Sequence, residues 1–243
     1  MTFLFFIFIY MKQINTYISE KLKLNKDSSF KDEYNYHPKD RDELRSLIEE
    51  LLKERGKNAD LNDIDVSGIT DMSMLFTDLN IHNIDISKWN VYNVKSMKYM
   101  FQYCGYFNSD LSEWNVSNVE NTMSMFMNCQ KFNSDLSKWD LSNVEITNAM
   151  FYNCREFNAD LSKWNVSNIE YMRSMFYECR KFNSDLSKWD VSNVIDMNTM
   201  FYGCKKFDSD LSNWNVKITH TYNMKNMFGE CKSLKKFPDW YQE

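Results

Sequence analysis

The sequence predicts an α/β-type repeat solenoid, with one short strand and one short helix per 25-residue repeat and a helical cap before the first repeat. Three observations predict it. Trp recurs every 25 residues, at 89, 114, 139, 164, 189 and 214. Cys recurs at 104, 129, 154, 179 and 204, then at 231, and a Met-Phe pair keeps the same register from Met100-Phe101 to Met200-Phe201. Within one copy, Asp110 to Ser134, apolar spacing changes from two (Trp114, Val116) to three or four across Val119, Met125, Phe126, Cys129 and Phe132. A period of two is a strand, and a period near 3.6 is a helical turn.

Taken in order, the chain opens with an apolar segment, residues 1–11, containing the run Phe3 to Tyr10. The run is too short to span a bilayer, which needs about 20 apolar residues. It reads either as signal-like or as an extension ahead of a start at Met11. Residues 12–38 hold a short helix through Ile14, Tyr17, Ile18 and Leu22, then a polar linker from Asn25 to His37. Residues 39–59 form the cap: Leu44, Leu47, Ile48, Leu51 and Leu52 make an amphipathic stripe, and Gly56 stops the helix.

Residues 60–236 are seven tandem copies. The first is degenerate, with Ile64 in place of Trp, Leu75-Phe76 in place of Met-Phe and Leu79 in place of Cys. The last carries two extra residues around Lys217 to Tyr222 and ends its pattern at Met227-Phe228. Each copy predicts a strand through Trp114-Asn115-Val116, a turn at Ser117-Asn118 that supplies the N-cap, and a helix through about Cys129. Residues 237–243 close the other end. One repeat cannot bury its own apolar edge, so copies stack. At about 4.8 Å per strand, seven make a rod of roughly 35 Å. Each buried Trp or Phe removes about 150–250 Å² from water, on the order of 4–6 kcal/mol gross.

Composition sets limits on function. A chain with 5 Gly, 2 Pro and 43% hydrophobic residues is not disordered by composition. A net charge of −5 gives no reason to expect nucleic acid as a partner. No two cysteines have C-x-x-C spacing, so zinc is not implied, and a buried apolar role is the simpler account of the thiols. Regularly spaced free thiols lean toward a reducing compartment. The Asp ladder, at 85, 110, 135, 160, 185 and 210, reads as a row of Asx turns in preference to a row of cation sites. The Asn ladder, at 108, 133, 158 and 183, reads the same way. His37, His82 and His220 occupy unrelated repeat positions, and no catalytic or phosphate-loop motif is present. The expectation is therefore no catalytic, cofactor-binding or metal residues. Two sequons, at Asn115 and Asn165, arise from the repeat itself.

The candidate partner-binding face is the pair of rows flanking each Trp. One row is Lys88, Glu113, Lys138, Lys163, Lys188 and Asn213; the other is Asn90, Asn115, Asp140, Asn165, Asp190 and Asn215. Extended faces of this kind are what solenoids present to partners. The alternative is a plain solvated surface.

The order Leu111, Trp114, Val116, Val119, Phe126, Cys129, Phe132 resembles the BspA-type leucine-rich repeats. More closely, the motif MFxxCxxFNxDLSxWDVSNV is similar to a mycoplasma-type surface-protein repeat of unknown function. Residues Asp40 to Glu243 carry the resemblance. It implies a leucine-rich-repeat-like fold and a non-catalytic surface or adhesion module whose sheet face binds a protein or glycan. The alternative is an intracellular, phage or viral interaction scaffold. Localisation is then the cell surface or virion, or the cytoplasm if translation starts at Met11. Neither cofactor, integral membrane span nor nucleic acid is implied, and a monomer is expected.

Overall fold

The computed structural model describes residues 34–217 and 221–241. The apolar run, the expected helix through Leu22 and the linker before Tyr34 lie outside these residues. One α-helix is present among them: α1, Arg41–Arg55. Asp40 caps it, its carboxylate accepting the N–H groups of Asp42 and Glu43 at 3.0 and 2.9 Å. Gly56 ends it at φ 84°, a left-handed value, with its N–H bonded to the Leu52 carbonyl. Leu44, Leu47, Ile48 and Leu51 are buried in the common core. No helix among the described residues is long and apolar enough to cross a membrane.

Beyond α1 the chain is a stack of coils joined by hydrogen bonds at one-coil separation. In each coil, four alternate N–H groups donate to carbonyls 24 residues ahead. Met97, Tyr99, Phe101 and Tyr103 bond Asn121, Met123, Met125 and Met127 at 2.8–3.0 Å. The register holds from Met72→Ser96 through Glu178→Tyr202. At the last junction the two inserted residues lengthen it to 26, as in Phe201→Met227. A bond in the opposite sense, such as Glu120 N–H to the Lys95 carbonyl, completes a one-residue parallel bridge. These bridges align Asp71, Ser96, Asn121, Ile146, Tyr171 and Asp196.

This differs from one strand plus one helix per repeat. No helix runs from Asn118 to Cys129. The Phe126 N–H goes to Met150 of the next coil, and Ser124 and Asn128 have φ of 54° and 65°. Three overlapping turns replace the helix: Met125 N–H to the Thr122 carbonyl, Met127 N–H to the Ser124 carbonyl and Cys129 N–H to the Phe126 carbonyl. The first and last have a positive φ at the third residue, the signature of a type II turn. Successive i,i+3 turns space apolar residues as a helix does, so spacing alone cannot separate them. No strand forms at Trp114-Asn115-Val116 either. That segment lies between the turns Leu111–Trp114 and Val116–Val119, and the bridge ladder runs through Asn121 instead. The linker reading also fails at its described end. Tyr36 bridges Ile64, Asn35 N–H bonds the Asp63 carbonyl, and Arg55 lies 5.8 Å over the Tyr36 ring. Residues 34–37 thus pair with the first coil.

The core is a set of ladders. Phe76, Phe101, Phe126, Phe151, Phe176, Phe201 and Phe228 stack at centroid spacings of 5.1–5.7 Å. Each indole N–H bonds a carbonyl of the preceding coil, as Trp114 does to Ile86 at 3.0 Å and Trp164 to Leu136 at 2.8 Å. Trp240 extends this ladder beyond the last repeat Trp, stacking on Trp214 at 6.0 Å and bonding Leu211. Each thiol donates to a Phe carbonyl one coil back, Cys129 to Phe101 at 2.9 Å and Cys154 to Phe126 at 3.0 Å.

Candidate functional site

The two rows flanking the Trp ladder are exposed throughout: Lys88, Glu113, Lys138, Lys163, Lys188 and Asn213 before it, Asn90, Asn115, Asp140, Asn165, Asp190 and Asn215 after it. They recur at one residue per coil, so the backbone bonding brings like positions together. They lie on a surface of turns, not on the bridge ladder.

The row after Trp is committed to its own backbone. The Asn115 side-chain oxygen accepts the Ser117 N–H at 3.1 Å, Asp140 that of Ser142 at 2.9 Å, Asn165 that of Ser167 at 3.2 Å, and Asp190 that of Ser192 at 3.0 Å. Asn90 does the same for Tyr92. These are Asx turns, a role the Asx-x-Ser spacing could have revealed. The amides next to them reach across coils: Asn118 donates to the Tyr92 carbonyl at 2.9 Å and Asn143 to Ser117 at 2.6 Å. Asn118 therefore ties two coils together and caps no helix.

The row before Trp keeps its charges outward. Lys138 pairs with Glu113 at 2.5 Å, and that hydrogen bond raises the lysine's pKa. Lys163 and Lys188 make no ion pair among the described residues; each adds a weak positive field to the aspartate of its own coil. The Asp ladder forms turns. Asp110, Asp135, Asp160 and Asp185 each accept the N–H of the Ser two residues on, at 2.9 Å. The backbone N–H and hydroxyl of that Ser hold Asp135, Asp160 and Asp185 below the ordinary carboxylate range. The Asn ladder works differently from that reading. Asn108 accepts the N–H of Asn133 in the next coil at 2.7 Å, and Asn133 that of Asn158, so these amides link coils and make no local turn.

Three further surface rows escaped the sequence reading because they are less regular. Glu145 and Glu170 line a groove with Asn143, Asn168 and Asn193, and Lys95 pairs with Glu120 at 3.1 Å. Lys131, Glu156, Lys181 and Lys206 line a shallow groove, closed in part by the Lys181–Glu156 pair. Tyr152, Tyr177 and Tyr202 stack at 4.5 and 4.9 Å. The thiols are poor nucleophiles, because burial pushes all six pKa values up, to about 12 at Cys104 and Cys231. Among the described residues, no three His, Cys, Asp or Glu side chains cluster as metal ligands.

A family model described as a Mycoplasma protein of unknown function, DUF285, matches residues 45–162 and again residues 134–240. No curated protein and no solved structure matches the chain.

Proposed function

We propose that this chain, which belongs to the DUF285 family of Mycoplasma proteins of unknown function, is a non-catalytic binding module built as a leucine-rich-repeat-like solenoid. It recognises a protein or glycan partner at the surface beside the Trp ladder. The observation that carries this reading is the exposed row Lys138, Lys163, Lys188, spaced one residue per coil on a backbone held by Asx turns. Lysines anchored at a fixed backbone pitch, Lys163 and Lys188 without an ion pair among the described residues, suit an extended anionic partner such as an acidic glycan chain or an acidic protein face. The Asx row beside it sets the shape of the surface and is not the contact itself.

The test is binding to an array of neutral and anionic glycans and acidic peptides, at low and high salt. Lys138→Glu, Lys163→Glu and Lys188→Glu combined should leave the chain folded with only a small fall in melting temperature, because the three side chains are exposed and the Lys138–Glu113 pair that is lost is a surface one. Binding should weaken by about tenfold or more, mainly through slower association at low salt. Unchanged binding by the folded variant would remove this row from the site.

A further inference from the structure

The hydrogen bonds between coils have a direction. At each junction four N–H groups point toward the C-terminal end, and the carbonyls that accept them point toward the N-terminal end. The Lys98 carbonyl accepts from Met74 while the Tyr99 N–H of the same peptide group donates to Met123. Four forward bonds per junction outnumber those in the opposite sense, such as Glu120 to Lys95, so the peptide dipoles leave a net sum along the stack. One end of the stack ends in carbonyls and the other in N–H groups.

The two ends are finished differently. At the first coil, Arg45 of α1 donates to the carbonyls of Met74, Leu75 and Thr77 at 2.9, 2.9 and 3.2 Å. Leu75 and Thr77 hold the positions of Met100 and Gln102, so the guanidinium substitutes for the missing preceding coil. At the last coil, Phe237, Trp240 and Tyr241 cover the apolar surface around Phe228 and Trp214. Yet the N–H groups of Asn226 and Glu230, both exposed residues that continue the donor rows of Thr199 and Gly203, have no acceptor among the described residues.

Charge divides the same way. Residues 34–80 carry 11 Asp and Glu against 6 Lys and Arg, whereas residues 205–241 carry 7 Lys against 4 Asp and Glu. The face of α1 opposite its buried stripe bears Asp42, Glu49 and Lys53, with Glu43, Glu50 and Glu54 beside it; Asp42 pairs with Arg41 and Glu49 with Arg45, which leaves Glu50 and Glu54 as its unpaired acids among the described residues. Lys225, exposed and in no ion pair among the described residues, adjoins the first bare N–H. We propose that the C-terminal edge of the stack docks on the acidic outer face of α1 of a second copy of this chain, head to tail. Carboxylates of α1 accept the edge N–H groups, which charge strengthens, and Lys225 pairs with Glu50. Both halves of the contact belong to the same chain, and it buries neither half within one molecule. Such a contact is heterologous and does not close on itself, so it builds linear chains. The lysine row of the binding surface takes no part in it.

Sedimentation of the intact chain tests this. At low salt the mass should rise with concentration beyond the monomer, and high salt should return it to the monomer. Lys225→Glu alone and Glu50→Lys alone should each weaken association by about tenfold or more. Their melting curves should match the parent's, because Lys225 is exposed and Glu50 is partly exposed on the outer side of α1. The double variant, with both charges reversed, should associate as the parent does. A monomer at every concentration in low salt, association indifferent to the single variants, or a double variant no better than the singles would each overturn the proposal.

Discussion

Thirteen of the described residues other than Gly adopt positive φ, and they mark where each coil turns: Tyr99 and Tyr103, Ser124 and Asn128, Ala149 and Asn153 recur in register. An L-residue there costs about 1–2 kcal/mol, whereas Gly costs nothing sterically but loses about 0.5–1 kcal/mol of chain entropy. Ala149, at φ 54°, has no side-chain hydrogen bond that would offset its strain. Ala149→Gly should therefore raise stability by about 0.5–1 kcal/mol, and Ala149→Val should lower it, with denaturant midpoints as the measurement. A lower midpoint for the glycine variant would contradict the turn geometry. This feature was not legible in the sequence, since Gly203 alone marks the position with a glycine. The Asp ladder was legible, because an Asx turn depends only on residues two apart. Its pH dependence follows from sign. Asp135, Asp160 and Asp185 have folded pKa values below the ordinary value, so their contribution is present above about pH 4 and lost as pH falls through the lowered values. Replacing all three with Asn keeps the accepting oxygens but removes the titration. The acid-induced fall in melting temperature should shrink in that variant, and an unchanged acid profile would place the acid sensitivity elsewhere.

At the scale of elements, α1 and the coil divide what a sequence can show. The helix was legible because its stripe and its Gly56 stop are local signals; the Asp40 cap, equally local, is a finding of the structure. The coil interior was not. Its N–H groups are satisfied 24 residues away, and a short-range apolar pattern fits a helix as well as a run of turns. Arg45 is the link between the two elements. It leaves the polar side of α1 to reach three carbonyls of the first coil, which no periodicity argument points to. Hydrogen bonds from a charged group are each worth about 1.5–3 kcal/mol where water is excluded, and less at a partly exposed site. Arg45→Ala should thus cost about 2–3 kcal/mol in all and loosen the first coil before the rest. Arg45→Lys should recover only part of this, because one ammonium cannot match the planar fork across three carbonyls. Hydrogen exchange is the measurement: protection should fall first at Met74 and Phe76. A uniform loss across all coils would mean that α1 and the stack unfold as one unit.

For the whole molecule, the period of 25 and the identity of the core residues could be read from the sequence, since Trp, Phe and Cys repeat without exception through the middle copies. The candidate site was legible only in part. Lys163 and Lys188 are free to face a partner and Lys138 does so paired with Glu113, whereas Asn115, Asp140, Asn165 and Asp190 spend their acceptors on turns. The period also has an energetic meaning. Every junction repeats the same four forward N–H bonds, one indole bond and one thiol bond, so each coil sees only its two neighbours. Deleting Asp135 to Ala159 joins Ser134 to Asp160 and should set the coil of Met175 directly on that of Phe126. The Phe126 N–H, now bonded to Met150, would then meet the Met175 carbonyl, which at present accepts from Phe151. Stability in such arrays is a sum of coil and junction contributions, so losing one of each should lower the melting temperature modestly and leave the transition cooperative. The denaturant m-value should fall in step with the surface removed, since m scales with the area exposed on unfolding. Circular dichroism of the deleted chain should keep the parent's band shape at reduced total amplitude. An unfolded product would show that contacts beyond the nearest coil hold the stack, and 25 residues would then be a period of sequence without being a unit of structure.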